Sequence, residues 1–364
     1  MPLQQESERH DATPDQVHNN PLFKPSPEEE KFYGRYQLTN PRLLPKPNDV
    51  RADYIAYNPS GIYTVVPDNI DRSPHQALDI MYVRVEPNRV DSGTSHLGKA
   101  AVRPYIIDLQ NINSPLRPFH DAMELPGEDP TLLRINRRLP LSGKVEKAWL
   151  LGLVDAQPKS DKPYEVASVQ TKFYAGKSLD KLEQVAVGPA WMKDIRLAVD
   201  ADPDSSKLHI WGRPQPHTGS GNISYTSVSD LSEIKDEIIA AAPLIHQELL
   251  PYDSGIWGGV NDAFMVGVGK YILAAHRARM TGPDNNGRHY ESCLFGYNTN
   301  TNRIVDLGIV ATADMFPGRT VKDDTHVDLH DVVFTGGGYN GRPELLTFGV
   351  GDGSIGIGNL VKRA

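Results

Sequence analysis

Short apolar runs, each about four to eight residues long and closed by a turn residue, constrain this chain more than any other feature. The first are "GIYTVV", "DIMYVRVE", "RPYIIDL", "TLLRI", "AWLLGLV" and "TKFYA"; "IRLAV", "KLHIWG", "NISYTSV", "AFMVGV" and "KYILAAH" follow. The last are "SCLFGYN", "RIVDLGIV", "DVVFTG", "ELLTFGV" and "SIGIGNL". Val, Ile, Tyr and Phe dominate them, and Gly, Pro, Asn or Asp ends them. Only "SDLSEIKDEIIAAAPL" has helical spacing, with Asp230 as N-cap and Leu231, Ile234 and Ile238 on one face. Strands without helices between them exclude a doubly wound α/β fold and leave a sandwich, a barrel or a propeller. No sequence repeat is visible, but the runs clump in threes and fours, roughly 50 to 60 residues per clump, as degenerate blades would. About five clumps fit between residues 50 and 360. The expected fold is therefore all-β, a five-bladed β-propeller over residues 51–364. A polar, Pro-rich and mostly irregular arm precedes it over residues 1–50, with "KFYGRYQL" as its anchored segment.

Net charge narrows the function. At −8 over 364 residues the chain lacks the basic surface that nucleic-acid phosphates demand, although a local basic pocket remains compatible. The single cysteine, Cys293, rules out an intrachain disulfide and fits a reducing compartment. In "HYESCLFGY" it reads as a small buried hydrophobe. The first twenty residues lack an apolar signal core, and no run reaches membrane-spanning length. A cytoplasmic protein without membrane contact is expected, and a homo-oligomer stays open.

Three motif matches fail on context. "GDGSIG" fits the dinucleotide-binding pattern, but the eight residues after it leave no room for a helix and second strand. "AGKS" resembles the end of a phosphate loop, yet the required first glycine is Thr171. His326 and His330 in "HVDLHD" have metal-ligand spacing without a Glu-rich helix around them, so no metal is expected.

Polar groups instead recur beside the apolar runs, one set per clump. "DIMYVRVE" brings Arg84 and Glu86, and "GEDP" brings Glu128 and Asp129. "WMKDIRLAV" and "WGRP" bring Lys193, Asp194 and Arg213. "GIWGGVNDAF" and "ILAAHRAR" add Trp257, Asn261, Asp262 and His276; "HDVVFTGGGYNG" and "GVGDGSIG" add Asp331 and Asp352. In a propeller the inner strands converge on an axial funnel, where residues from separate blades meet.

The order of these elements resembles the mannoside phosphorylases, five-bladed propellers acting on β-mannosides. "WGGVND", "ILAAHRAR", "FPGRTVKDD" and "DVVFTGGGYNG" are closer still to the β-1,2-mannosyltransferase/phosphorylase family of protozoan parasites, first catalogued as a domain of unknown function. The resemblance spans roughly residues 55 to 360 and rests on the ordered set of motifs. It implies an inverting reaction in which β-1,2-mannan and phosphate give shortened mannan and α-mannose 1-phosphate, or the reverse. Asp129 would be the general acid, acting through the sugar 3-hydroxyl. The implied partners are β-1,2-mannooligosaccharides and mannose 1-phosphate, with GDP-mannose as donor in some members. No cofactor is implied beyond inorganic phosphate as co-substrate. One departure stands out: the phosphorylases usually have Arg after Glu-Asp-Pro, whereas Thr131 follows here and the nearest arginine is Arg134.

The chemistry explains the residue types. A hydrolase needs a second carboxylate to activate water, whereas a phosphorylase uses an anionic nucleophile and needs cations to hold it. Lys193, Arg213 and His276 are the expected phosphate set, with Arg319 and Lys322 in reserve. Arg84, Glu86, Glu128, Asp194, Trp257, Asn261, Asp262, Asp331 and Asp352 are expected around the sugar. Each has a plain alternative: Asp129, Asn261 and Asp262 suit Asx turns, Trp257 suits a core, His276 an interior histidine, and Asp331 and Asp352 strand ends. Lys193–Asp194 and Arg213 suit solvated ion pairs. Two other functions compete: an inverting hydrolase with Asp262 or Asp331 as base, and a non-enzymatic glycan-binding propeller.

Overall fold

The fold follows from the alternation of strand and turn. In a computed structural model, residues 21–66, 77–88, 99–139, 142–159, 166–214, 222–245, 250, 255–281, 287–323 and 327–363 are described. His326 and residues 1–20 of the arm lie outside them. The described chain is nearly all β.

The first strand, β1 (Tyr36–Leu43), belongs with the end of the chain. The first antiparallel group is β2 (Tyr54–Pro59), β3 (Tyr63–Val65), β4 (Leu78–Pro87), β5 (Ala101–Ile107), β6 (Arg117–Pro118) and β7 (Leu125–Pro126). The second is β8 (Glu128–Arg138), β9 (Val145–Pro158), β10 (Val166–Gly176) and β11 (Glu183–Val187). β12 (Met192–Val199), β13 (Leu208–Pro214) and β14 (Ser224–Val228) follow; then come β15 (Ile256–Gly267), β16 (Lys270–Thr281), β17 (Gly287–Asn298) and β18 (Arg303–Ala311). The last group is β19 (Asp328–Tyr339), β20 (Arg342–Val350) and β21 (Ser354–Lys362), with β1 antiparallel on its outer edge, Tyr36 opposite Lys362. Parallel contacts link β10 to β12 and β17 to β19. The leading strands touch in turn: β2 on β8, β8 on β12, β12 on β15, β15 on β19, and β19 on β2.

Each leading strand is interrupted, β15 and β19 a second time near their ends, at Val266 and between Gly338 and Tyr339. The register against its neighbour shifts at Asn58 in β2, at Asp129–Pro130 in β8, at Asp194–Ile195 in β12, at Asn261 in β15 and at Gly336 in β19. Asn58, Asp129 and Asp194 take left-handed backbone, φ 42, 46 and 56°. Asn and Asp tolerate that region better than other side-chain-bearing residues. Gly336 is needed for a different reason: a Cβ there would fall 2.0 Å from the Pro59 carbonyl oxygen. These interruptions turn polar side chains out of the ladder, as bulges do.

Two segments differ from the sequence expectation. The arm expected to be irregular carries a helix, Pro27–Tyr33, and all of β1 in its described part. Ser26 and Glu29 form a reciprocal capping box at that helix, and Tyr33 buries against the core. The single expected long helix is instead a 3₁₀ turn, Leu231–Glu233, capped by Asp230, and a short α-helix, Asp236–Ala240. Despite the break at Lys235, Leu231, Ile234 and Ile239 all enter one apolar cluster, with Ile238 packed against it. "GDGSIG" is the β20–β21 turn and the start of β21, with Gly351 and Asp352 at positive φ. No helix among the described residues is long and apolar enough to cross a membrane.

Candidate active site

The bulges of β2, β8 and β12 bring their polar side chains together. Asn58 Nδ2 donates to Asp129 Oδ1 at 2.8 Å, and Arg84 Nη1 donates to the same oxygen at 3.3 Å. Arg84, on β4, also reaches Glu128 Oε1 at 3.2 Å and Glu86 Oε2 at 2.8 Å. Glu86 is fully buried and takes two more donors, Tyr57 Oη at 2.5 Å and the Lys322 ammonium. Alternation along β4 explains the pairing: Arg84 and Glu86 are two residues apart, so both side chains face the hub.

Shared neighbours give the carboxyls different acidities. Glu128 is raised to about 7, chiefly by burial; Arg84 opposes this, while Asp129 and Glu86 add to it. Glu86 is equally desolvated, but Arg84 and Lys322 outweigh burial and hold it near about 2. Asp352 is also raised by burial, with Lys322 and Arg84 opposing and Asp129 reinforcing.

A second cluster lies alongside. Asp194, at its own bulge, accepts from Arg213 Nη1 at 2.6 Å and from Arg196 Nη2 at 3.3 Å. Despite burial, Lys193, Arg213 and Arg196 hold its carboxyl well below the usual range. Arg196 also donates to the backbone carbonyls of Asn261 (2.8 Å) and Asp129 (3.5 Å), joining β12 to β15 and β8. Lys193 is half-buried, directly across the ladder from Arg213.

Next to Arg213 the strand "WGGVND" packs unusually close. A Cβ on Gly259 would fall 2.8 Å from Arg213 Cδ, and one on Gly258 2.2 Å from the His276 carbonyl oxygen. His276 is buried and stacks on Tyr290, centroids 5.4 Å apart, and Tyr290 meets the half-buried Trp257 edge-on at 6.0 Å. His276 Nδ1 pairs with Asn261 Oδ1 at 2.8 Å, which places the proton on Nδ1 in the assigned amide orientation. Burial and the charge of Arg213 push its pKa well below the ordinary value, so the ring is neutral. Three buried groups here lack a partner among the described residues: Arg213 Nε, Asn261 Nδ2 and His276 Nε2. Unpaired buried polar atoms are costly and rare, and three within one cluster mark a place made for a polar ligand.

Not every expected residue joins this hub. Asp262 Oδ1 and Oδ2 accept from the backbone N–H of Ala263 (2.8 Å) and Gly338 (3.0 Å), and burial raises it to about 6. Asp331 is exposed and pairs with His289 at 2.9 Å. Arg319 donates to the carbonyls of His330 and Ala313. Arg134 stacks on Trp149, 4.4 Å from the ring centroid, well along β8 from Asp129, and the Asp129 carboxylate is met by the Arg84 guanidinium instead. His330 is exposed against Asp328, and no group of three metal-binding side chains occurs among the described residues. Sequence reading passed over Tyr57, Asn58, Arg196 and Tyr290. A signal existed for Asn58: "NP" at 58–59 repeats the "DP" of 129–130, each at the bulge of a leading strand.

Fold and site define a nearly all-β chain with a closed circuit of leading strands around a buried polar hub. The family model described as "Protein of unknown function (DUF1861)" matches residues 128–356, and the chain belongs to that family. No curated protein matches it significantly. Among solved structures, MPT-4, a mannose phosphorylase from Leishmania mexicana in complex with phosphate ion, is 23% identical over 89% of this chain and 88% of that one, TM-score 0.69. MPT-1, a GDP-Man-dependent mannosyltransferase from the same organism, is 24% identical over 89% of each chain, TM-score 0.66. A hypothetical protein from Leishmania major is 21% identical over 90% of this chain and 91% of that one, TM-score 0.66. The likeness shows a shared fold.

Proposed function

We propose that the chain is a carbohydrate-active enzyme, an inverting β-1,2-mannoside phosphorylase and mannosyltransferase, on a five-bladed propeller. The closed circuit of five leading strands, β1 sealing the last group, supports the blade count. The observation that carries the function is the hub: Asp129, oriented by Asn58 and Arg84, lies across Arg196 from the Asp194–Arg213 pair and its three unpartnered polar groups. Similarity in fold to a mannose phosphorylase and to a GDP-Man-dependent mannosyltransferase supports mannose as the sugar and leaves both donors open.

In the proposed reaction a phosphate oxygen attacks the anomeric carbon from the face opposite the leaving group. The C1–O glycosidic bond breaks as the new C1–O bond to phosphate forms, giving α-mannose 1-phosphate with inversion. The departing oxygen takes the proton of the mannose 3-hydroxyl, and Asp129 gives its own proton to that hydroxyl oxygen. Lys193 and Arg213 hold the phosphate. The neutral His276 offers Nε2 as an acceptor, suited to a protonated phosphate oxygen or a sugar hydroxyl, so its role differs from the cationic one expected. Trp257 is the stacking surface for a sugar ring.

The hydrolase reading loses its expected bases, since both Asp262 oxygens accept backbone N–H groups and Asp331 is exposed and paired. Incubation with mannose 1-phosphate and a mannose acceptor tests the proposal. Released phosphate and a β-1,2-linked product are expected. No turnover there, with free mannose released from β-mannosides in phosphate-free buffer, would overturn it in favour of hydrolysis.

A further inference from the structure

Beyond its bulge, β8 runs on to a cavity of about 880 Å³. Arg134 lines it from β8, five residues past Asp129 and so roughly 16 Å further along an extended strand. Thr64 and Asn340 line it from the stretches that follow Asn58 and Gly336 in the chain. Asn340 ties the two together: its Oδ1 accepts from Thr64 N at 2.9 Å, and its Nδ2 donates to Thr64 Oγ1 at 3.0 Å. The cavity thus lies at the opposite end of the leading strands from the hub and shares no residue with it.

Its charge runs against that of the molecule. The chain carries −8, yet Arg134, Lys147, Lys177 and Lys181 surround this cavity against the carboxylates of Asp121 and Asp180. Lys177 is paired with Glu146 at 2.8 Å. Lys147 and Lys181 are exposed and form no salt bridge among the described residues. One wall of the cavity is aromatic: Tyr63 meets Trp149 edge-on at 5.8 Å, and the Arg134 guanidinium lies on the same indole, 4.4 Å from its centroid. A guanidinium laid on an aromatic wall, with lysines lining the same cavity, suits an oxyanion, Arg presenting a planar fork and Lys a point charge. A volume within the range of about 300–1,000 Å³ suits a small molecule. The carboxylates of Asp121 and Asp180 and the side chains of Thr64, Ser178 and Asn340 offer acceptors and donors for hydroxyl groups.

We propose that this cavity is a second ligand site, remote from Asp129, that takes a phosphomonoester of a small polyhydroxylated molecule. Lys147, Lys181 and Arg134 hold the phosphate, and Asp121 and Asp180 hold hydroxyls. The proposal stands apart from the reaction assigned to the hub.

Calorimetric titration of the full chain tests it, with glucose 6-phosphate in one arm and inorganic phosphate in the other. The proteins are wild type, Lys147→Glu/Lys181→Glu, and Arg213→Lys, whose change lies in the hub. Expected is saturable binding of glucose 6-phosphate that weakens about tenfold or more in the lysine pair variant, about 1.4 kcal/mol, and persists in Arg213→Lys. Lysine-dependent binding that is tighter for glucose 6-phosphate than for inorganic phosphate supports a sugar-phosphate ligand. Equal affinity overturns the hydroxyl contacts and leaves a bare phosphate site. No saturable binding, or binding that depends on Arg213 and not on the lysines, overturns the site itself. Should charge reversal lower the melting temperature, Lys147→Gln/Lys181→Gln carries the same comparison.

Discussion

Glu128 shows how one side chain's surroundings become a measurable pH dependence. Its carboxyl is raised from 4.5 to about 7, mainly by burial. Between those values the folded chain holds a proton that the unfolded chain has released, so stability falls as pH rises across that window. Glu86 acts in the opposite sense: its contribution is complete above 4.5 and is lost as pH falls toward about 2. Glu128→Gln removes the first dependence only. Urea midpoints at pH 5 and pH 8 are expected to fall less for the variant than for wild type, by about 1–3 kcal/mol once converted to free energy. Equal pH slopes for the two proteins would contradict the assignment. At this scale Asp129, Asp194 and Arg213, singled out from the sequence, are buried together around Arg196. The sequence was unreadable where a side chain acts through another: Tyr57 and Arg196 sit in apolar runs, and their letters say nothing of the carboxylates they meet in the fold.

At the scale of the strand, the device that builds the hub is the bulge, and its requirements differ around the circuit. Asn58, Asp129 and Asp194 carry side chains into it, whereas Gly336 must carry none, because Pro59 O lies where its Cβ would be. Gly336→Ala is expected to destabilise by about 2 kcal/mol or more through overpacking against backbone that cannot yield. Chemical denaturation measures this, and a change within about 0.5 kcal/mol would show that the β19–β2 contact yields easily. Apart from the Asn-Pro and Asp-Pro pairs of β2 and β8, the bulges carried no sequence signal. Alternation of apolar residues locates a strand, but a single inserted residue changes the register of the ladder without changing the composition of the run. Strand existence was therefore clear from the sequence, and the position at which each strand turns its polar residue inward was not.

Closure is a property of the whole molecule. β1 leaves the N-terminal arm to pair with β21, so the two ends of the described chain complete one group. A polar, Pro-containing sequence such as "YQLTNPRL" gives little sign of this, since its partner is more than 300 residues away and its burial pattern is only intermediate. Deletion of residues 1–43 exposes the β21 edge and Leu360 and is expected to lower the melting temperature by about 4 °C or more. Differential scanning fluorimetry reads this directly, and an unchanged melting temperature would mean that β1 is dispensable. The hub is held more locally: Asp129, Asp194 and Arg213 come from β8, β12 and β13 of one sheet, and Arg196 bridges Asp194 and the Asp129 carbonyl. Steady-state phosphorolysis of a β-1,2-mannooligosaccharide by wild type, Asp129→Asn and Arg213→Lys tests that pairing most directly. Asp129→Asn should lower kcat about 10²–10⁴-fold with little change in the KM for phosphate, while Arg213→Lys should raise that KM about tenfold. A wild-type rate indifferent to phosphate, or an Asp129→Asn variant as fast as wild type, would contradict a proton donor set opposite a phosphate cradle.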